Sequence, residues 1–338
     1  MAAIFAGLDV GDYETAVCVL DASARVILEE RIASDAKVIA SLLKPYRRTL
    51  GGVGIEAGTT ASRLYKDLER RKYPMVCLDP WHAHAALVVQ RNKTDRADAK
   101  GLALLVSRGL YTKAHVKSND AQALRFLLAA RKALKRRVIE LQLTLRSAGK
   151  LFGAVVDMRN RRIRGVKWSR YAKHALAIDA AAALIRACSA LQTELAVIDL
   201  AMEKMAKADP VCRRLMTMPG VGPITALTFK AAVDDPSRFK SSRTVAAYFG
   251  LTPRRHQSGI IDIGGHISRR GDGTVRETLY VAASTMLNVT KKETRLRTWG
   301  LALKERRGFK FAAVACARRM AVIMHRMWVT ETDFDPAR

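Results

Sequence analysis

IFAGLDVGDYETAVCVLD, residues 4–21, decides the fold. IFAGLDVG and TAVCVLD are short apolar, β-branched runs on either side of a polar turn, and each predicts a β-strand. RVILEERI, residues 25–32, alternates well enough to predict a third strand. A helix is expected over Ser34–Tyr46, with Ser34 or Asp35 as its N-cap. GGVGIEAG (51–58) gives a strand ending in Glu56, and TTASRLYKDLERR (59–71) a helix. PMVCLD (74–79) reads as a buried strand, WHAHAALVV (81–89) as a short helix, and a last helix runs from about Thr94 to Ser107. Three strands in succession and then alternating helices and strands describe an α/β module, a mixed sheet covered on its faces.

Outward from this module the chain changes character. It has 338 residues, and 59 Lys+Arg against 31 Asp+Glu give a net charge of +28 and a pI near 10.4. Residues 1–100 hold 15 Lys+Arg and 13 Asp+Glu, so almost the whole surplus lies beyond them. Such a surplus calls for a polyanion, and a nucleic-acid backbone is the usual one. A membrane is disfavoured, since no stretch approaches 18 uncharged apolar residues. The N-terminus lacks a basic segment and meets Asp9 and Asp12 too early for a secretory signal. Five cysteines without a CxxC pair predict neither a disulfide framework nor a zinc site, and point to the cytoplasm.

The basic part reads as almost entirely helical. Leu134, Val138, Leu141, Leu145, Ala148 and Phe152 step alternately by four and three, as do Leu184, Cys188, Leu191, Leu195, Ile198, Met202 and Met205. Two heptad stripes separated by a basic connection predict a helical hairpin, an intermolecular coiled coil, or the core stripes of a bundle. Asp209-Pro210 ends the second helix. Pro219-Gly220-Val221-Gly222 resembles a helix-hairpin-helix turn, whose amides can hold a DNA phosphate, although such a turn also simply joins two helices.

Four acids stand at positions expected to be element ends. Asp9 and Glu56 fall on strands, while Asp95 and Asp98, three apart, share one face of a helix. Magnesium takes hard oxygen ligands, and carboxylate-held ions promote phosphoryl transfer. Taken singly, each acid reads as a turn residue or a helix-terminal acid favoured by the dipole.

GLDVG (7–11), GIEAG (54–58) and NKTDRADA (92–99) resemble the D-E-D-D set of insertion-sequence transposases with a RuvC-like, RNase H-fold domain. PGVGPITA (219–226), RFKSSRTVAAYFGLTPRRHQSG (238–259) and ISRRG (267–271) resemble the second motif region of that family, which is similar to the bridge-RNA-guided recombinases. The resemblance implies an RNase H-like domain over 1–115, a basic helical or coiled-coil arm over 116–210, and a mainly helical transposase domain over 211–330. It implies catalytic Asp9, Glu56, Asp95 and Asp98 holding Mg2+ or Mn2+, and Ser258 as a nucleophile forming a phosphoserine link. Arg254, Arg255, Arg269 and Arg270 would bracket that serine and bind phosphate, and Gly220 and Gly222 would contact nucleic acid. The implied partners are donor and target DNA, a structured guide RNA and further copies of the chain, as a homodimer assembling to a tetramer. The expected location is cytoplasmic, on the nucleoid.

Glu277, where the family more often has a basic or neutral residue, and the less basic IIDIGG after Ser258-Gly259 depart from the pattern. His256 beside the serine reads more readily as a loop residue than as a relay. Two rival readings stay open: a metal-dependent junction-resolving nuclease using only the four acids, and a non-catalytic nucleic-acid-binding protein. Ser258 separates the first rival, which tolerates its loss, and the acids separate the second.

Overall fold

A computed structural model describes residues 3–87, 94–153, 174–259 and 261–337. The basic connection between the heptad stripes, the end of WHAHAALVV, and Asn92-Lys93 lie outside the described residues. The chain divides into two compact units, residues 1–117 and 118–338.

The first unit is built on a five-stranded mixed sheet. Its strands are β1 (Ile4–Val10), β2 (Glu14–Leu20), β3 (Val26–Ala33), β4 (Leu50–Glu56) and β5 (Met75–Leu78), in the order β3-β2-β1-β4-β5. β1, β2 and β3 pair antiparallel, and β4 is parallel to both β1 and β5. Side chains alternate between the two faces. One face carries Ala6, Leu8, Val17, Val19, Val53 and Ile55 against Ile39 and Leu43 of α1 (Ala36–Leu43) and Leu64 and Leu68 of α2 (Ala61–Arg70). Asp35 caps α1 by accepting from the amides of Lys37 and Val38. α3 (Pro80–Leu87) follows β5.

The other face meets α4 (Asp95–Arg108). Ala16, Cys18 and Leu20 pack on Ala99 and Ala103, while Leu78 packs with Leu102, Leu105 and Val106. Gly7 makes this approach possible, because a Cβ there would lie 2.0 Å from the Ala99 carbonyl oxygen.

The second unit opens with α5 (Asn119–Leu151) and α6 (Ala175–Ala208). Their stripes meet within one chain: Val138, Leu141, Leu145 and Ala148 pack with Ala181, Leu184, Cys188 and Leu191, and Leu128 joins a core that holds Met202. The expected stripes overrun this seam. Phe152, just past the end of α5, is 37% exposed, and Met205 is 43% exposed on the flank of α6 although Met202 and Ala206 on either side of it are fully buried. By length and composition α6 would suffice to cross a membrane, because charges along it are sparse, but its stripe is spent on α5.

α7 (Pro210–Met216), α8 (Pro223–Val233), α9 (Ser242–Tyr248), α10 (Gly273–Asn288), α11 (Arg295–Arg307) and α12 (Phe309–Val329) share a large core. Phe229 meets Phe249 edge-on within it. Asp209 ends α6 and caps α7, accepting from Cys212 and pairing with Lys230. The sequence reading missed β6 (Pro253–Ser258) and β7 (Ile261–Ile267), an antiparallel hairpin in this otherwise helical unit. Its strands are too rich in Arg, His, Gln and Gly to show an apolar alternation, and they form a sheet of two strands that buries little.

Candidate active site

Register brings two of the four acids together. β1 and β4 run parallel with Leu8 opposite Ile55, so one step further Asp9 and Glu56 end adjacent strands side by side. Asp9 also faces Ala16, which faces Arg31. Arg31, Ala16, Asp9, Glu56 and Leu78 therefore form one row across the sheet, on the face that α4 covers. Burial pushes the neighbouring Cys77 thiol up to about 11, and the charges of Asp79 and Glu56 add to the shift.

The direction of α4 supplies the other two. Position 52 lies beneath Val106, position 54 beneath Leu102 and Val106, and position 7 beneath Ala99 and Ala103. The helix thus runs back along β1 and β4, and its first turn, with Asp95 and Asp98, reaches the strand ends that carry Asp9 and Glu56. Asp98, four residues before Leu102, lies on the flank of α4 turned to β4 and β5. Thr94 caps the helix by accepting from the Ala97 amide, and both acids favour that N-terminus electrostatically.

Sequence reasoning missed the cations around this end. Arg31 Nη2 donates to Asp95 at 2.7 Å, and its Nε lies 3.1 Å from Glu14. Arg96 pairs with Glu29. The charges of Glu29, Glu30 and Arg31 were visible in the sequence as one run, but only the pairing of β3 with β2 shows that Arg31 shares a row with Asp9. Among the described residues no three His, Cys, Asp or Glu side chains stand together as a ready cation cluster. Asp95 is engaged by Arg31 instead.

Ser258 is exposed at the tip of the β6–β7 hairpin, paired with Ile261 and followed by Gly259 at φ +54°. The expected ring of arginines around it is not formed. Arg254 is four residues away along an extended strand, about 13 Å at the usual rise. Arg255 points to the opposite face and is held by Asp262, at 2.7 and 2.5 Å. That contact keeps the Asp262 carboxyl below its usual range. Arg269 and Arg270 sit at the far end of the hairpin, beyond the Pro253–Ile267 pair. Arg276 braces their turn, donating to the carbonyls of Phe249, Arg270 and Gly271. Sequence proximity suggested a cluster, and the strand's extension spreads it out.

The turn before α8 has a structural duty of its own. Gly220 stands at φ +86°, and a Cβ on it would lie 2.2 Å from the Ala282 carbonyl oxygen in α10. Gly222 caps α8 with open space around its Cα. Glu277 pairs with Lys132 of α5.

Comparison with known proteins finds relatives for both units. Residues 6–150 match the DEDD transposase family of IS110 type, and residues 212–298 match the family described as transposase IS116/IS110/IS902. The transposase for insertion sequence element IS1111A of Coxiella burnetii is 30% identical over 328 residues, covering 94% of this chain and 87% of that protein. A probable family 20 transposase of Pseudomonas aeruginosa is 28% identical over 259 residues, 73% of this chain and 75% of its own. The pilin gene-inverting protein of Moraxella bovis is 40% identical over 70 residues, 20% of this chain and 22% of that protein. With two family models matched in succession and a relative 30% identical over 94% of this chain, the chain belongs to the IS116/IS110/IS902 family of transposases.

Proposed function

We propose that this transposase moves a DNA element by cutting and rejoining strands through a transient phosphoserine ester at Ser258, under the direction of a structured RNA. The observation that carries the catalytic reading is the adjacency of Asp9 and Glu56 at the ends of parallel strands, with the first turn of α4 over them. The mixed sheet supports an RNase H-like first unit.

The carboxylates of Asp9, Glu56, Asp95 and Asp98 are hard oxygen donors of the kind that suits Mg2+ or Mn2+. Asp9, Glu56, Asp95 and Asp98 would hold such a cation, which when bound supplies charge stabilisation to a reacting phosphate. Arg31 competes for Asp95 and so keeps that acid in place when no cation is present.

The Ser258 hydroxyl would attack the scissile phosphorus, its Oγ–P bond forming as the strand's P–O bond breaks, with the serine proton passing to the departing oxygen. Exposure at a hairpin tip lets Ser258 reach into a duplex. The reverse attack by another strand's hydroxyl releases the serine and rejoins DNA, and the ester conserves the bond's free energy. Arg254, Arg269 and Arg270 would hold backbone phosphates at the hairpin base, and Gly222 another at the start of α8. The positive surplus beyond residue 100 favours simultaneous binding of DNA and RNA. Four strand cuts favour a tetramer built from dimers.

The test is a denaturing gel after incubation with suicide DNA substrates. Wild type should yield a covalent protein–DNA adduct that Ser258→Ala lacks. Freely hydrolysed ends with no adduct in wild type would favour the plain nuclease.

A further inference from the structure

A cavity of about 470 Å3 opens in the second unit where α5 and α6 pass the start of α8 and one side of α10. That volume lies within the roughly 300–1,000 Å3 usual for small organic ligands. Three features of its wall describe an occupant. Leu128, Met202, Ile224 and Val281 give it an apolar interior. At the start of α8, Gly222 has no side chain to cap with and Pro223 has no N–H, so the amides of Ile224 and Thr225 lack an intrahelical acceptor. One turn on, Thr228 lines the same cavity, is 3% exposed, and carries a buried hydroxyl without a hydrogen-bond partner. A buried polar group in this condition is costly unless something satisfies it.

The cavity lining holds three basic and three acidic side chains, and pairing of the acids leaves one cation over among the described residues. Its carboxylates are each engaged: Asp199 by Arg131, Glu277 by Lys132 and Glu203 by Lys207. Lys135 lines the cavity and has no counter-charge among the described residues. An anion-seeking helix terminus and a lysine at an apolar chamber with one hydroxyl in its wall match a single chemical object. A nucleotide lifted out of its stack presents a phosphate to the rim and a base to the interior.

We propose that this cavity receives one unstacked nucleotide, its phosphate at the start of α8 and its base against Leu128, Met202 and Val281, within reach of Thr228. The proposal rests on the reading that the chain handles nucleic acid, and it adds a subsite remote from Ser258 and the four acids in sequence. The nucleotide's source is a DNA or an RNA strand, and the chemistry is shared.

The test compares the full-length protein's affinity for a duplex carrying one bulged fluorescent base analogue with that for the fully paired duplex, and repeats the pair as RNA hairpins. Wild type should prefer the bulged form about tenfold, with a change in the analogue's fluorescence. Thr228→Val, which removes a hydroxyl that no protein group uses, and Val281→Trp, which fills the mouth from a half-exposed position, should each bring the ratio to about one. Affinity for paired DNA should stay unchanged in both. Preference on DNA or on RNA supports the pocket and assigns its source. Equal affinity for bulged and paired forms in wild type, or a preference that survives both substitutions, overturns it. A preference seen without any covalent adduct would instead sink the phosphoserine reading and leave the pocket standing.

Discussion

The carboxylate edge and the serine hairpin are held in opposite ways. Asp9 and Glu56 extend from strands whose preceding residues, Leu8 and Ile55, are fully buried, and α4 is locked over them through Gly7. Ser258 stands at the tip of a two-stranded ribbon with exposed residues on both strands. The difference teaches that, on the function proposed above, the chemistry would be divided between a site fixed by packing and an exposed group at a hairpin tip. A cation site needs ligands preset to a few tenths of an ångström, whereas a nucleophile that enters a duplex gains from exposure.

The contrast breaks most sharply at Ser258. Ser258→Ala should abolish the covalent adduct while leaving thermal unfolding unchanged, because the side chain is exposed and packs on nothing. A fall in melting temperature alongside lost activity would show the tip to be structurally committed after all.

Asp9→Asn should lower strand cleavage by roughly a thousandfold, the rate equivalent of the several kcal/mol that a metal-held carboxylate edge supplies. The fold should persist, since asparagine keeps the volume of the side chain and its capacity to accept hydrogen bonds. Wild-type cleavage by the variant, or cleavage that continues in chelator, would remove the edge from the mechanism.

Glycine substitutions sharpen the packing half of the comparison. Gly7→Ala drives a methyl into the α4 backbone and Gly220→Ala drives one into α10 at a positive φ, so each should cost about 3 kcal/mol in urea unfolding. Gly7→Ala should also lower cleavage, because α4 carries Asp95 and Asp98. Gly222→Ala, in open space, should be close to neutral in stability.

The smallest effect belongs to Asp272, which caps α10 and pairs with Arg125. Burial alone would raise its pKa, but the hydrogen bonds from Arg125 and from the amides of Thr274 and Val275 outweigh it and hold the carboxyl below the usual range. A folded-state pKa lowered in this way stabilises the protein above the unfolded value near 3.9 and loses that contribution as pH falls through the folded value. Asp272→Ala should therefore cost about 1–2 kcal/mol at pH 7 and almost nothing once wild type is protonated. Denaturation midpoints of both proteins across this range decide it.

What the sequence determined by itself is most of the elements, the β6–β7 hairpin excepted. Alternation in IFAGLDV and ETAVCVL, the Asp35 and Thr94 caps and the heptad steps along α5 and α6 are local signals, and these elements formed where their own residues called for them. The four acids and Ser258 were legible as motif residues, although whether they converge was not, because convergence is a matter of register and of helix direction. Only the tertiary structure decided that Asp9 sits beside Glu56, that Arg31 reaches Asp95, and that the two heptad stripes close on each other within one chain. It also decided that the arginines near Ser258 in sequence are strung along a hairpin rather than gathered round it. Periodicity reports which face of an element is apolar. Which polar groups meet across faces is set by pairings between residues 19 to 147 positions apart, and no local pattern encodes those.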